Sequence, residues 1–313
     1  MTTRRDFLRA SGVAIAAGGI GAELAAAEGE GGAAAGRGET SGDLVVDFRI
    51  RPPYKGFLTT ANYKGANPPS IEEFMAEMDQ AGIDRAVILG RQTPPSMRYR
   101  GSWGLPYGSV PNDDIAELVL RYPDRLIAFA GIDGATGDAA LAEVERCRKL
   151  GFRGIALDNG WGDPPLNDDD PSLFPIYEKC QDDGLIVALT NSIAVGPDMD
   201  YCKPIHVQRL GNRFRDLKIV VPHAFWPWVS LACAAAFRNP NLYLIPDYYI
   251  GMPGATEYVD WANGRLSKQI LFASSYPGSG LTDAVAIYAE LGFSGDDVRR
   301  QVMGANAARL LGL

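Results

Sequence analysis

"AALAEVERCRKLGFRGIALD", residues 139–158, carries the pattern on which the fold turns. Its first part spaces apolar residues as one face of a helix and stops at Gly151, the residue that helix ends favour. "RGIALD" (153–158) then runs continuously apolar up to an acid, as expected of a strand covered on both faces. Helix, tight turn and buried strand thus follow one another with almost nothing between them.

The same unit recurs in both directions. Apolar runs stand upstream at "LVVDFRI" (44–50), "RAVILG" (85–90) and "LIAFAGI" (126–132), and downstream at "LIVALTN" (185–191), "KIVVPH" (218–223), "NLYLIPD" (241–247) and "QILFASS" (269–275). Amphipathic segments such as "SIEEFMAEMDQAG" (70–82) and "PIHVQRLGNRF" (204–214) fill the gaps, and "SGDDVRRQVMGANAARLLGL" (294–313) reads as a closing helix. About eight strand–helix units in roughly 270 residues predict an α/β fold, one (β/α)8 TIM barrel forming a single domain over 44–313. A doubly wound sheet is the rival, but no G-x-G-x-x-G follows the first strand.

With 313 residues, 46% of them hydrophobic, the chain can bury a large core. A net charge of −8 and a pI near 4.9 argue against nucleic acid and anionic membrane surfaces, while leaving room for local positive charge that holds a small anion. "TRRDFLRASG" (3–12) sets Arg4 and Arg5 ahead of a weakly apolar stretch and then small residues, the order of a twin-arginine export signal. Residues 1–27 are therefore expected to be a leader read by the Tat machinery, 28–43 a flexible linker, and the protein periplasmic or exported. The apolar stretch is too short and glycine-rich for stable membrane insertion. Cys147, Cys180, Cys202 and Cys233 form no close pair and read as buried free thiols, not a zinc cluster.

In such a barrel the catalytic groups stand at the C-terminal ends of the strands. Those positions hold Arg49 and Arg51, Arg91, Asp133, Asp158 with Asn159, Thr190 with Asn191, His223, Asp247 with Tyr248, and Ser274 with Ser275. Strict alternation in "VVDFRIRPP" (45–53) puts Val45, Asp47, Arg49 and Arg51 on one side. The loop 91–113, with Arg98, Arg100, Trp103 and Tyr107, reads as a cover over the mouth. In "HAFWPWV" (223–229), Trp226 is a candidate wall for a planar substrate, as is Tyr248 with its neighbour Tyr249; His206, inside a helix, reads as packing.

"VVDFRIRP", "LGFRGIALD", "LKIVVPH", "NPNLYL", "ILFASSYP" and "NAARLL" together resemble the amidohydrolase-related family, which includes metal-dependent decarboxylases, hydratases and lactonases of aromatic acids. The resemblance implies a divalent metal held by a His-x-His pair at the end of the first strand, where this chain has Arg49-Ile50-Arg51. It implies a further histidine at the place of Thr190 and an aspartate at that of Ser275. His223 stands where the family keeps a histidine that activates water or moves protons. Arginine has only donors and stays protonated, so it repels a cation and suits a carboxylate.

The expectation is an enzyme with no metal and no other cofactor, acting on a small carboxylated cyclic or aromatic compound. Hydrolysis of the lactonase type ranks first, with His223 as general base, Asp158 and Asp247 as supporting acids, and Arg49, Arg51 and Arg91 as the carboxylate clamp. Thr190, Asn191, Ser275, Trp226 and Tyr248 are expected around the substrate. A decarboxylase or hydratase is the alternative, and a binding protein without catalysis the third reading. The arginine pair has a structural alternative as well, as salt bridges to Asp47, Asp158 or Asp247. The family's habit of dimerising leaves a homodimer open.

Overall fold

The apolar runs pair in sequence order. The computed structural model describes residues 44–55, 68–92 and 109–313. In it β1 (Val46–Ile50), β2 (Arg85–Leu89), β3 (Leu126–Ile132), β4 (Gly154–Leu157), β5 (Ile186–Leu189), β6 (Ile219–Pro222) and β7 (Leu242–Ile245) form one parallel sheet, each beside the next. Helices α1 (Ile71–Gln80), α2 (Asn112–Arg121), α3 (Asp138–Lys149), α4 (Phe174–Asp182), α5 (Pro204–Arg213), α6 (Val229–Arg238), α7 (Thr256–Gly264) and α8 (Leu281–Glu290) alternate with the strands. The expected leader, linker and the loop residues Arg98, Arg100, Trp103 and Tyr107 lie outside the described residues. Among the described residues no helix is long and apolar enough to cross a membrane.

The eighth apolar run departs from expectation. It forms no strand, yet it bonds on both sides: Leu244 N donates to Gln269 O (2.8 Å) and Leu271 N to Leu244 O (2.9 Å), while Phe48 N donates to Phe272 O (3.0 Å) and Arg51 N to Tyr276 O (3.0 Å). The barrel is nearly closed by this segment without a regular ladder. One reason is that Phe272 N donates instead to Val302 O (2.9 Å), in a π-helical turn at Gln301–Ala305. That turn also interrupts the expected terminal helix, dividing it into α9 (Asp296–Arg300) and α10 (Asn306–Leu311). The backbone approach there is close, since a Cβ on Gly304 would lie 1.5 Å from the Leu44 carbonyl oxygen. Gly304→Ala is expected to cost about 1–3 kcal/mol of stability through this forced displacement. Urea denaturation checks it; an unchanged midpoint would show that the β1 entrance yields freely.

Side chains of the strands divide between two apolar clusters. Val46, Phe48, Val87, Leu89, Phe129, Ala188 and Val220 belong to the smaller one, which fills the barrel. Ile50, Ile88, Leu157, Leu189 and Val221 belong to the larger one, shared with the helices. Regular alternation would place Ile50 with Val46 and Phe48, and it does not. The β1–β2 register explains this: Val46 faces Arg85 and Asp47 faces Ala86, but Ile50 faces Ile88, so two residues of β1 oppose one of β2. This β-bulge reverses the alternation. Asp47 and Arg49 therefore do not share a side as strict alternation predicts. Arg49, inside the bulge, and Arg51, after it, thus lie on the side opposite Ile50, which packs with the helices.

Candidate active site

After β6 the chain turns through left-handed backbone at three successive non-glycine residues, His223 (φ 69°), Ala224 (φ 44°) and Phe225 (φ 66°). Such conformations are costly for residues with a Cβ and persist where surrounding structure imposes them. Here Asn191 N donates to Pro222 O and Phe225 N to Asn191 O (both 3.1 Å), pinning the turn to the end of β5. The turn brings His223 Nδ1 to 2.8 Å from Asp247 Oδ1, and His223 N donates to Asp247 Oδ2 (3.3 Å). Asp247, itself at φ 39°, also accepts from Arg49 Nη1 at 3.5 Å. A carboxylate so placed acts as acceptor, which assigns the proton to Nδ1 and leaves the lone pair on Nε2. Burial lowers the His223 pKa below its ordinary 6.5, against the opposing pull of Asp247, so the imidazole is neutral at pH 7. The pair is an oriented base.

The guanidiniums gather at the ends of β1 and β2. Arg49 Nη1 donates to Ser275 Oγ as well as to Asp247. Arg51 lies within electrostatic reach of Arg91, Arg49, Asp158 and Asp247. Burial, followed by the Arg91 and Arg49 charges, pushes Arg51 well below its usual value. A guanidinium nevertheless stays protonated. Among the described residues, Arg51 Nε and Nη2 are buried without a hydrogen-bond partner, and so is Arg49 Nε. Nε–H and Nη2–H lie along one edge of the guanidinium and point in parallel, the arrangement that grips two oxygens of one carboxylate. The structural alternative, Arg51 satisfied by a salt bridge, has no bonded acid to support it among the described residues.

Asp158 stands apart from His223. Its Oδ2 accepts from Arg91 Nε at 2.8 Å, and the Arg91 guanidinium lies 5.0 Å over the Trp161 ring. Burial by itself would raise the Asp158 pKa, but the charges of Arg91 and Arg51, with help from the Thr190 hydroxyl, hold it down to about 2. A cavity opens on this side, lined by Arg91, Ile132, Asp158, Trp161 and Leu166.

Other expected residues have different tasks. Asn191 Nδ2 donates to Asp168 Oδ2 and Asn159 Nδ2 to Asp168 Oδ1, both at 2.8 Å, so Asn191 braces the loops after β4 and β5. Asp168 went unnoticed in the sequence. It sits among three adjacent acids, of which Asp169 pairs with His206 (2.7 Å) and Asp170 caps a 3-10 turn, and no spacing rule singles out the buried one. Trp226 stacks on Tyr249 (5.2 Å, 14°), and Tyr249 meets the His223 ring edge to face (5.0 Å). Tyr248 is half exposed and meets Tyr249 edge to face (5.8 Å), so the ring in contact with His223 is that of Tyr249. The four cysteines are buried and free.

Asp47, behind the bulge, accepts from Arg49 N and Ser274 N with Oδ1 (3.0 Å each), and burial pushes its pKa up to about 6. A carboxyl raised on folding binds its proton more tightly in the native state. The stability it contributes is therefore present at low pH and lost as pH rises from about 4 through about 6. Asp47→Asn retains the acceptor oxygen and is expected to flatten that decline in urea midpoints. Parallel curves for the two proteins would contradict it.

The divalent metal implied by the resemblance does not fit these residues. Two of its ligand positions carry guanidiniums, the other two carry Thr190 and Ser275, and Asp158 and Asp247 already accept from Arg91, Arg49 and His223. Among the described residues no group of three or more His, Cys, Asp or Glu is arranged to hold an ion.

A family model described as Amidohydrolase matches residues 61–313. The 2-amino-3-carboxymuconate-6-semialdehyde decarboxylase of Dictyostelium discoideum is 33% identical over 128 residues, 39% of this chain and 34% of that protein. The gamma-resorcylate decarboxylase of Rhizobium radiobacter is 41% identical over 76 residues, 22% of this chain and 23% of that protein. The chain's match thus spans about a third of the first of these curated relatives and about a quarter of the second. Among solved structures, an uncharacterized TIM-barrel protein of Bordetella bronchiseptica is 33% identical with a TM-score of 0.76, covering 86% of this chain and 98% of that one.

Proposed function

Because the chain belongs to the amidohydrolase family, we propose that it is a metal-independent lyase that removes CO2 from a small cyclic or unsaturated carboxylic acid. The observation that carries this reading is the buried, unpartnered Nε/Nη2 edge of half-buried Arg51, within electrostatic reach of His223 and Asp247. The sequence alone favours hydrolysis, whereas the named relatives, both decarboxylases, favour the lyase.

The substrate carboxylate lies along the Arg51 edge. Holding it there does not by itself lower the barrier, because catalysis requires tighter binding of the transition state than of the substrate. When the C–C bond breaks, its electron pair stays on the ring or chain carbon and spreads to a conjugated oxygen, and CO2 departs. Arg49, with Nε unused, receives the charge that develops on that oxygen. His223 Nε2 first takes the proton of an acidic hydroxyl of the substrate. The resulting imidazolium, stabilised by Asp247, delivers that proton to the carbon, and solvent returns a proton to the oxygen after CO2 has left. Export in folded form, argued from Arg4 and Arg5, belongs to the same proposal.

Hydrolysis of an activated ester remains a second reading. The neutral His223, poised as a base on Nε2, favours it. Incubation with a panel of hydroxylated and unsaturated acids, and with carboxylated lactones, separates the two. CO2 release supports the lyase, and acid release without gas supports the hydrolase. Activity is expected to survive exhaustive chelation, with metal far below one equivalent by elemental mass spectrometry. A stoichiometric metal whose removal abolishes turnover would overturn the metal-free chemistry.

A further inference from the structure

Asp158 lines the cavity together with Arg91, and one of its oxygens is unanswered. Asp158 uses Oδ2 to accept from Arg91 Nε (2.8 Å), and the Thr190 hydroxyl stands near the carboxylate, but Oδ1 is buried with no hydrogen-bond partner among the described residues. Leaving a buried polar atom of a charged group unsatisfied is costly, and a ligand that completes it gains the difference. The Arg91 charge and the Arg51 charge keep Asp158 ionised. In that form its oxygens can only accept, so the partner must be a donor.

The surroundings set the shape of that partner. Ile132, Leu166 and the Trp161 ring give the cavity apolar walls. Trp161 is fixed by its Nε1–H to Ala194 O (2.9 Å) and by Arg91 across its face (5.0 Å). The Arg51 edge and Asp158 lie close enough for each to feel the other's charge. A ligand that reached from the Arg51 edge into this cavity would present a carboxylate at one end, a donor to Asp158 at the other, and a flat apolar body against Trp161.

We propose that Asp158 Oδ1 is a specificity-determining acceptor that takes a hydroxyl or amino group carried on the ring of the substrate acid, and that it excludes a second carboxylate from that end of the cavity. This rests on the reading of Arg51 as carboxylate receptor. A hydroxyl that meets Oδ1 forms a charge-assisted bond in a desolvated place. A methoxy group at the same position offers no hydrogen, and a carboxylate there meets a like charge.

The test is calorimetric titration of the whole protein with benzoate, its 2- and 3-hydroxy derivatives, the matching methoxy compounds and the corresponding benzenedicarboxylates. One hydroxy isomer is expected to bind about tenfold or more tighter than benzoate, its methoxy counterpart to lose that gain, and the dicarboxylate to bind more weakly than benzoate. In Asp158→Asn the hydroxy preference shrinks and the dicarboxylate penalty disappears. If benzoate binds and neither hydroxy isomer exceeds it, the acceptor role is wrong while the Arg51 site stands. If no acid in the series binds, the carboxylate site fails and the acceptor with it. A preference that persists undiminished in Asp158→Asn overturns the assignment to Asp158.

Discussion

His223→Asn is expected to lower kcat by a factor of about 10² to 10⁴, the usual contribution of a positioned proton-transfer group, with carboxylate affinity changed little. Asparagine is the informative replacement because position 223 has φ 69°, which asparagine tolerates better than most residues. Its side chain can still face Asp247, so the turn that joins β6 to the aromatic wall keeps an anchor. The comparison needs kcat at saturating substrate together with Kd for a non-reacting acid. A near-normal kcat would mean that the proton moves through another group. The pH profile adds an independent check. Burial depresses the His223 pKa, so the neutral form that accepts a proton persists below pH 6.5, and the acid limb of kcat/KM is expected below that value. The same shift acts on stability: the native state resists protonation at 223, so this group costs stability as pH falls from 6.5 through its lowered value.

Arg51→Met is expected to separate stability from function. It removes a half-buried cation whose Nε and Nη2 are buried without a partner among the described residues and which feels the like charges of Arg91 and Arg49. Replacing buried charge by a side chain of similar length and apolar character commonly stabilises a protein, here by about 1–4 kcal/mol. Carboxylate binding should fall by about 2–5 kcal/mol, a factor of 30 or more, because the receiving edge is gone. Arg51→Lys keeps a charge but offers no paired donors, so affinity should recover only in part. Thermal or urea unfolding with parallel binding titrations decides the matter. A destabilised Met variant would mean that Arg51 is a structural salt-bridge partner, and the carboxylate site would have to be sought elsewhere.

Much of this architecture is legible in the sequence because burial on two faces leaves a plain mark. Each of the first seven apolar runs became a strand within a few residues of its expected ends, and "RGIALD" became β4 (Gly154–Leu157) followed by Asp158. The positions of Arg49, Arg51, Arg91, Asp158, His223 and Asp247 at the strand ends follow from the same marks. Pairings between them do not. Asp247 turned out to orient His223, while Asp158 bonded to Arg91, because each choice depends on how neighbouring strand ends and backbone turns aim the side chains. The eighth run has the composition of a strand, yet Phe272 N donates outside the sheet to Val302 O, a choice made by a distant turn (2.9 Å). Asp168 is one acid among neighbours until the loops after β4 and β5 fold around it.

The bulge in β1 has a consequence for how such a pocket changes over evolutionary time. What the two guanidiniums face is set by parity, the number of backbone units ahead of them in the ladder, and not by their chemical identity. A straight ladder through the same residues would bury both under the helices and set Ile50 at the mouth, giving an oily pocket from an unchanged composition. Point substitutions would retune the strength of the proposed anion site. An insertion or loss of one residue between Asp47 and Ile50 would reverse its polarity in a single step.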